Sequence, residues 1–125
     1  MRVLIVESNP DLGALWKRHL ERLGADVELA VDEAGAVHAL RMRDFDIIVL
    51  DLVIEEGAAL AISDFASYRR PEARVIFVTN SSFFSDGSIF QHASNAHACI
   101  PDQTPAEDLA ALVEYHGKHA TELSG

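Results

Sequence analysis

The sequence contains little cysteine, little positive charge and no long apolar segment. The single cysteine, Cys99, excludes an internal disulfide and agrees with a reducing compartment. No apolar run approaches the roughly 20 residues that span a bilayer. The first residues, Met1–Leu4, run directly into a strand pattern and not into a signal peptide. We therefore expect a cytoplasmic protein that makes no membrane contact.

The shortage of positive charge limits the classes of partner. Ten lysines and arginines face twenty aspartates and glutamates, which gives a net charge of −10. This balance repels phosphate backbones and argues against direct nucleic-acid binding, while it favours a protein or cationic partner. The 125 residues, 49% of them hydrophobic, suit one domain over residues 1–125. We expect this domain to stand alone, with a frayed tail over residues 120–125.

Apolar runs and helix signals alternate along the chain. Strands are predicted at Val3–Val6, Val27–Val31, Ile47–Leu50, Arg74–Thr79 and His97–Ile100. Helices are predicted from the Asn9 cap to Gly24, from the Asp32 cap to about Met42, around Leu60–Phe65, less strongly over 85–95, and after the capping box Thr104–Glu107. Five such units predict an α/β domain of the flavodoxin-like, doubly wound (βα)5 type, with a five-stranded parallel sheet in the order 2-1-3-4-5.

Acidic residues stand at the ends of two strands that this order makes neighbours. Glu7 follows the first strand, Asp51 follows the third, and Thr79 ends the fourth. Doubly wound sheets bind ligands outside the carboxyl ends of their strands, where the strand order reverses. A carboxylate inside the sheet would be a costly buried charge, so we expect Glu7 and Asp51 to face a site at this edge.

Four segments resemble the receiver domain of bacterial two-component response regulators: Val3–Leu12, Phe45–Asp51, Val75–Thr79 and Ala98–Pro101. The resemblance implies a signalling domain and not an enzyme, with at most slow self-catalysed phosphorylation and dephosphorylation. It implies that Asp51 accepts a phosphoryl group from a histidine kinase or a histidine phosphotransfer protein. By the same similarity, Glu7 and Asp51 hold Mg²⁺ together with the backbone carbonyl of Val53, the Thr79 hydroxyl contacts the phosphoryl group, and Thr79 and His97 form the switch.

The chain departs from that family's pattern at several places, including the bulky Asn80 after Thr79. Ser8 stands where the family has a second acidic residue, so Ser8 is at best a weak metal ligand and Mg²⁺ binding should be weak or absent. Ile100 aligns with the family's lysine and offers neither charge nor donor. The loop after Asp51 is short before Gly57, which should displace Val53. We expect impaired metal binding and impaired switching.

Two other functions compete with this interpretation. The first is a pseudo-receiver, a phosphorylation-independent module that docks a partner, or a second copy, through its fourth helix, fifth strand and fifth helix. Ile100 and the short loop favour it. The second is flavin binding on the same fold. The acidic segment Glu7–Pro10 argues against a flavin because it lacks a Ser/Thr/Gly-rich phosphate cradle.

Overall fold

The computed structural model describes residues 1–51, 56–79, 96–101 and 104–124, and side chains over 1–51, 60–78 and 104–117. Its strands are β1 (Arg2–Val6), β2 (Asp26–Ala30), β3 (Ile47–Asp51), β4 (Arg74–Thr79) and β5 (Ala96–Pro101). Its helices are α1 (Pro10–Arg22), α2 (Glu33–Met42), α3 (Glu56–Arg69) and α4 (Ala106–Ser124), the last being the fifth helix of the sequence prediction. No described helix is long and apolar enough to cross a membrane.

The five strands form one parallel sheet in the order β2-β1-β3-β4-β5. All five residues of β3 are buried, which fits its central place between β1 and β4. A strand in this place needs apolar side chains on both faces, and the run Ile47–Leu50 supplies them. The predicted fold class and strand order are therefore confirmed.

Helices cover both faces of the sheet and create two apolar cores. One face packs against α2 and α3 through Ala36, Ala39, Leu40, Ile62 and Ala66. The other packs against α1 and α4 through Trp16, Leu20, Leu109, Ala110 and Val113. Each fully buried valine, leucine, isoleucine or phenylalanine contributes about 1.5–3 kcal/mol. This three-layer packing fixes the strand ends on which the site depends.

Most predicted boundaries agree with the structure to within a residue or two. Strand β4 has the predicted bounds, and α1 ends before Gly24, whose φ of +90° suits glycine. Strand β2 begins and ends one residue earlier than predicted. Its last hydrogen bond to β1 is the one that the Ala30 carbonyl accepts from the N–H of Glu7, and Asp32 already caps α2. Val31 is consequently outside the strand and 46% exposed.

Two predictions concern the second half of the chain. The helix predicted over residues 85–95 lies outside the described residues. Helix α4 continues to Ser124, over most of the segment for which we predicted fraying. The fraying of residues 120–125 stays a prediction.

Candidate functional site

Glu7 and Asp51 lie at the carboxyl ends of two neighbouring strands. Strands β1 and β3 are parallel, with Val6 opposite Leu50, so the next residue of each chain segment is an acid at the same level of the sheet. Both carboxylates are buried, with exposures of 2% for Glu7 and 3% for Asp51. Burying an ionised carboxylate is costly unless hydrogen bonds or a cation compensate it. Two buried acids therefore lie on neighbouring strands at the carboxyl edge of the sheet, where a binding site is expected.

Backbone contacts hold Glu7 in place on two sides. The N–H of Glu7 donates to the carbonyl of Ala30, which ties it to β2 at 2.9 Å. The N–H of Asn9 donates to Oε1 of Glu7, also at 2.9 Å. A hydrogen bond to a charged acceptor is stronger than one between neutral groups. The loop between β1 and α1 thus orients this carboxylate.

The same loop begins helix α1. Oδ1 of Asn9 accepts hydrogen bonds from the N–H groups of Asp11, at 3.0 Å, and Leu12, at 3.4 Å, and Pro10 occupies the first helical position. These are the N-cap interactions that the sequence predicts for an asparagine followed by proline. Asn9 therefore serves the helix with its side chain and the site with its backbone.

Gly13 lets α1 approach the strands closely, a role that the sequence analysis missed. A Cβ at this position would lie 2.6 Å from Cδ1 of Leu29 and 3.5 Å from Cβ of Glu7. The side chain of Leu29 would have to move to accept it. The sequence did contain a signal for this close approach, namely a glycine inside an amphipathic helix, three residues after Pro10.

Strands β4 and β5 bring further predicted residues to this edge. Asp51 lies opposite Val78, Val78 lies opposite Ile100, and Thr79 lies opposite Pro101. Ile100 is thus at the level of Asp51, two strands away. The side chains of Thr79 and Ile100 are not among those described, so their contacts stay predictions.

His97 and Val53 are the remaining predicted residues. The register between β4 and β5 shifts after the pair Val75 and Ala96 and resumes at Ala98, so His97 is the extra residue at an irregularity of the ladder. This places the backbone of His97 but tests no switch. Val53 lies outside the described residues.

The donors at this edge are of the kind that a small hard cation prefers. Mg²⁺ binds carboxylate oxygens and usually keeps several waters, and Glu7 and Asp51 offer two buried carboxylates. Ser8 is exposed. Within the described residues, no group of three histidine, cysteine or acidic side chains could hold a metal. The two acids fit a largely hydrated Mg²⁺ better than a metal enclosed by protein ligands.

Two curated proteins are similar to this chain along most of its length. The chain is 25% identical over 120 residues to the luminescence regulatory protein LuxO of Vibrio campbellii, a match that covers 95% of this chain and 26% of the relative. The LuxO protein of Vibrio parahaemolyticus matches equally well. The chain therefore spans about a quarter of the length of these curated relatives.

Solved structures share the fold. A CheY-like receiver domain from Methanospirillum hungatei superposes with a TM-score of 0.86 at 21% identity, covering 99% of this chain and 98% of that one. A response regulator from Burkholderia pseudomallei, solved with a phosphorylated aspartic acid, a calcium ion and citrate, superposes with a TM-score of 0.78 at 18% identity, covering 99% and 72%. At these identities the likeness concerns the fold.

The family model of the response regulator receiver domain matches residues 3–114, which is most of the chain. Receiver domains are signalling domains that work with histidine kinases or phosphotransfer proteins and typically bind Mg²⁺ at the site of phosphorylation. The matched range contains β1, β3, β4 and β5, the strands whose carboxyl ends carry the predicted site. This chain belongs to the response regulator receiver domain family.

Proposed function

We propose that this chain is a phosphoacceptor in two-component signalling and that Asp51 accepts the phosphoryl group. The observation that carries the proposal is the buried Asp51 carboxylate at the end of the central strand, beside a strand that delivers a second buried carboxylate, Glu7. In the transfer, an oxygen of Asp51 bonds to phosphorus as the bond from phosphorus to the donor's histidine nitrogen breaks. The electron pair of the broken bond stays on the histidine nitrogen, whose protonation gives the neutral imidazole of the donor.

The residues of this chain act mainly by positioning. Strand β3 fixes the backbone of Asp51, and the N–H of Asn9 fixes the Glu7 carboxylate at 2.9 Å. A divalent cation bound by Glu7 and Asp51, with the Val53 carbonyl and weakly with Ser8, would neutralise charge on the phosphoryl oxygens. Phosphoryl transfer depends on positioning and electrostatics, so an ordered pair of carboxylates is a suitable starting point.

Two features of the site make the proposed transfer slow. Ser8 supplies a hydroxyl where a third carboxylate would strengthen metal binding, and Ile100 brings no cation to the level of Asp51. The chain has no lysine or arginine at all between Arg74 and Lys118. After phosphorylation, Thr79 and His97 would have to carry the switch by themselves.

The phosphoacceptor is tested by intact-mass spectrometry after incubation with acetyl phosphate and Mg²⁺. We expect one slowly formed phosphoryl adduct, which is absent in Asp51→Asn. Asp46→Asn, at the opposite edge of the sheet, is the matched control and should keep the adduct. If the adduct persists in Asp51→Asn and maps to another residue, the assignment is wrong.

A second function is favoured by Ile100. A pseudo-receiver that docks a partner without phosphorylation needs neither a cation at this position nor a tightly held metal. The same mass experiment separates the two functions, since a pseudo-receiver gives no adduct with acetyl phosphate or with any phosphorylated histidine donor. In that case the surface formed by the predicted fourth helix, β5 and α4 is the proposed docking face, for a downstream protein or for a homodimer.

A further inference from the structure

Charged side chains are divided unevenly between the two edges of the sheet. At the carboxyl edge, exposed acids occupy the caps or first turns of α1, α2 and α4, namely Asp11, Asp32, Glu33, Glu107 and Asp108; we call them the acidic rim. They lie at the same edge of the sheet as the buried Glu7 and Asp51, and no described residue at this edge is a lysine or arginine. The acidic rim is therefore a surface of negative charge.

The opposite edge carries exposed arginines beside exposed apolar side chains. They stand where α2 and α3 end, at Arg41, Met42, Arg43, Tyr68 and Arg69; we call them the arginine patch. Arg69 joins the two helix ends, since its Nε donates to the carbonyl of Leu40 at 3.3 Å and its Nη2 to that of Arg41 at 3.2 Å. The patch is therefore a single surface shared by two helices.

Among the described residues, no carboxylate forms an ion pair with the cations of this patch. The Arg41 guanidinium lies 5.9 Å from the centroid of the Phe65 ring, and neither Arg41 nor Arg43 forms an ion pair with a described residue. The nearby Asp46 is paired with Arg70 at 3.0 Å. Asp44, which follows Arg43, is the exposed acid adjoining the patch in sequence.

Large apolar side chains accompany these charges. Met42 is 68% exposed and Tyr68 is 83% exposed, the two highest values among the large apolar residues described. Arginine, tyrosine and methionine are enriched where proteins dock, because they combine apolar area with directed hydrogen bonds. The composition of the patch is that of a docking surface for an acidic partner.

We propose that the arginine patch docks on the acidic rim of a second copy of this chain, so that copies associate head to tail. With a net charge of −10, two copies repel each other in most orientations. An orientation that joins patch to rim brings opposite charges together, which favours encounter and fixes the register of the contact. Each contact uses the patch of one copy and the rim of the other, so a pair still has one free patch and one free rim. Further copies can therefore join the pair.

The contact needs no phosphoryl group and is tested with the unmodified protein. Sedimentation velocity at about 0.02 M salt, where screening is weak, should show the average mass rising with concentration past that of a dimer. At about 0.5 M salt, where charges are screened over a few ångströms, the rise should disappear. A protein that stays monomeric into the millimolar range, or that stops at a dimer, overturns the proposal.

Paired charge reversals test which surfaces meet. Arg41→Glu with Arg43→Glu, and separately Glu33→Lys with Glu107→Lys, should each weaken self-association at least about tenfold, because like charges then face each other. An equimolar mixture of the two variants should associate again, since each patch now finds a rim of opposite sign. A mixture that stays monomeric contradicts the proposed contact.

The matched control reverses two exposed arginines of α1, Arg18 and Arg22, which changes the net charge as much as the patch variant does. We expect it to keep the association; an equal loss would mean that net charge, or α1, governs the effect. Far-UV circular dichroism verifies that each variant is folded. Should the patch variant unfold, Met42→Ser with Tyr68→Ser provides the second test, and unchanged association in that variant overturns the role of the patch.

Discussion

At the scale of single residues, the two buried acids raise the question of what offsets their burial. A carboxylate withdrawn from water loses several kcal/mol of solvation, and only part of that returns through hydrogen bonds. Glu7 receives the N–H of Asn9 on one oxygen. Two negative charges at one edge of the sheet also disfavour each other, and a cation between them would relieve this. This gives the site a physical reason to bind Mg²⁺ even with only two carboxylates.

Ser8→Asp is expected to tighten Mg²⁺ binding by roughly tenfold or more, because metal affinity rises with the number of charged ligands. Ser8 is exposed at the edge of the site, so the new side chain has space to turn toward the metal. Amide shifts of Glu7 and Asp51 during Mg²⁺ titration measure the affinity. Ser8→Asn, which adds the same bulk without charge, is the control. Equal affinity in Ser8→Asp and the parent would mean that Ser8 does not face the metal.

Gly13→Val is expected to destabilise the domain by about 1–3 kcal/mol through overpacking. A Cβ at Gly13 would lie 2.6 Å from Cδ1 of Leu29, and valine adds two methyl groups beyond it. Urea unfolding measures the loss. Ala14→Val places valine one position later, where α1 is exposed, and should cost only the helix propensity that valine loses relative to alanine. Valine has a higher helix propensity than glycine, so a Gly13→Val variant as stable as the parent protein would mean that the close approach of α1 carries no energetic weight.

Residue patterns predicted where the two acids lie in the fold, and they left other parts of the candidate site open. The acids at positions 7 and 51 were predictable because each follows a run of residues that has to be buried on both faces. Gly13 was not, since one glycine within a helical pattern signals only a weaker helix until the helix is packed. Val53 and the side chains of Thr79 and Ile100 depend on loop and rotamer geometry. That geometry is not contained in an apolar pattern.

At the scale of elements, the predicted boundaries agree with the structure where local signals such as helix caps determine them. Strand β4 begins and ends as predicted, and Asn9 and Asp32 cap the helices that they were expected to cap. Helix α3 begins at Glu56, before the apolar residues that revealed it. Its first residues, 56–59, have no apolar periodicity in the sequence that would have located the start of the helix. Apolar periodicity predicts the buried part of an element, whereas capping residues and contacts with neighbouring elements determine where it begins and ends.

Helices α2 and α3 are joined by one side chain at their C-terminal ends. Arg69 donates to the carbonyls of Leu40 and Arg41, which are among the last four carbonyls of α2 and lack partners within that helix. The positive guanidinium also lies at the negative end of the α2 dipole. This contact therefore joins the C-terminal ends of the two helices.

Arg69→Met should therefore lower the free energy of unfolding by up to about 1 kcal/mol, since one bond is exposed, the other is only partly buried, and methionine keeps the apolar stem. It should also speed amide exchange in the last turn of α2. Urea unfolding and hydrogen exchange measure both effects. Arg18→Met, on the exposed side of α1, is the control and should change neither. Unaltered exchange in α2 would contradict the joining role of Arg69.

At the scale of the whole molecule, the sheet links the proposed phosphorylation site, Asp51, to β5. Asp51, Val78 and Ile100 lie in register across three strands, so a charge change at Asp51 acts near the C-terminal end of β5. A ligand shifts a conformational equilibrium only by its difference in affinity for the two states. Isoleucine carries no charge, so position 100 can form no ion pair with a phosphorylated Asp51. The response of the domain should consequently be small.

Ile100→Lys is expected to increase that response to beryllium trifluoride with Mg²⁺, a mimic of the phosphoryl group. A charge-assisted hydrogen bond contributes about 1.5–3 kcal/mol, and every 1.4 kcal/mol changes a population ratio about tenfold. Amide chemical-shift changes over residues 80–100 measure the response. Ile100→Met keeps an uncharged side chain and should behave as the parent protein does. Large shifts across residues 80–100 in the parent protein, with clean conversion to a dimer, would mean that this domain switches fully without a lysine, and that Thr79 and His97 are sufficient.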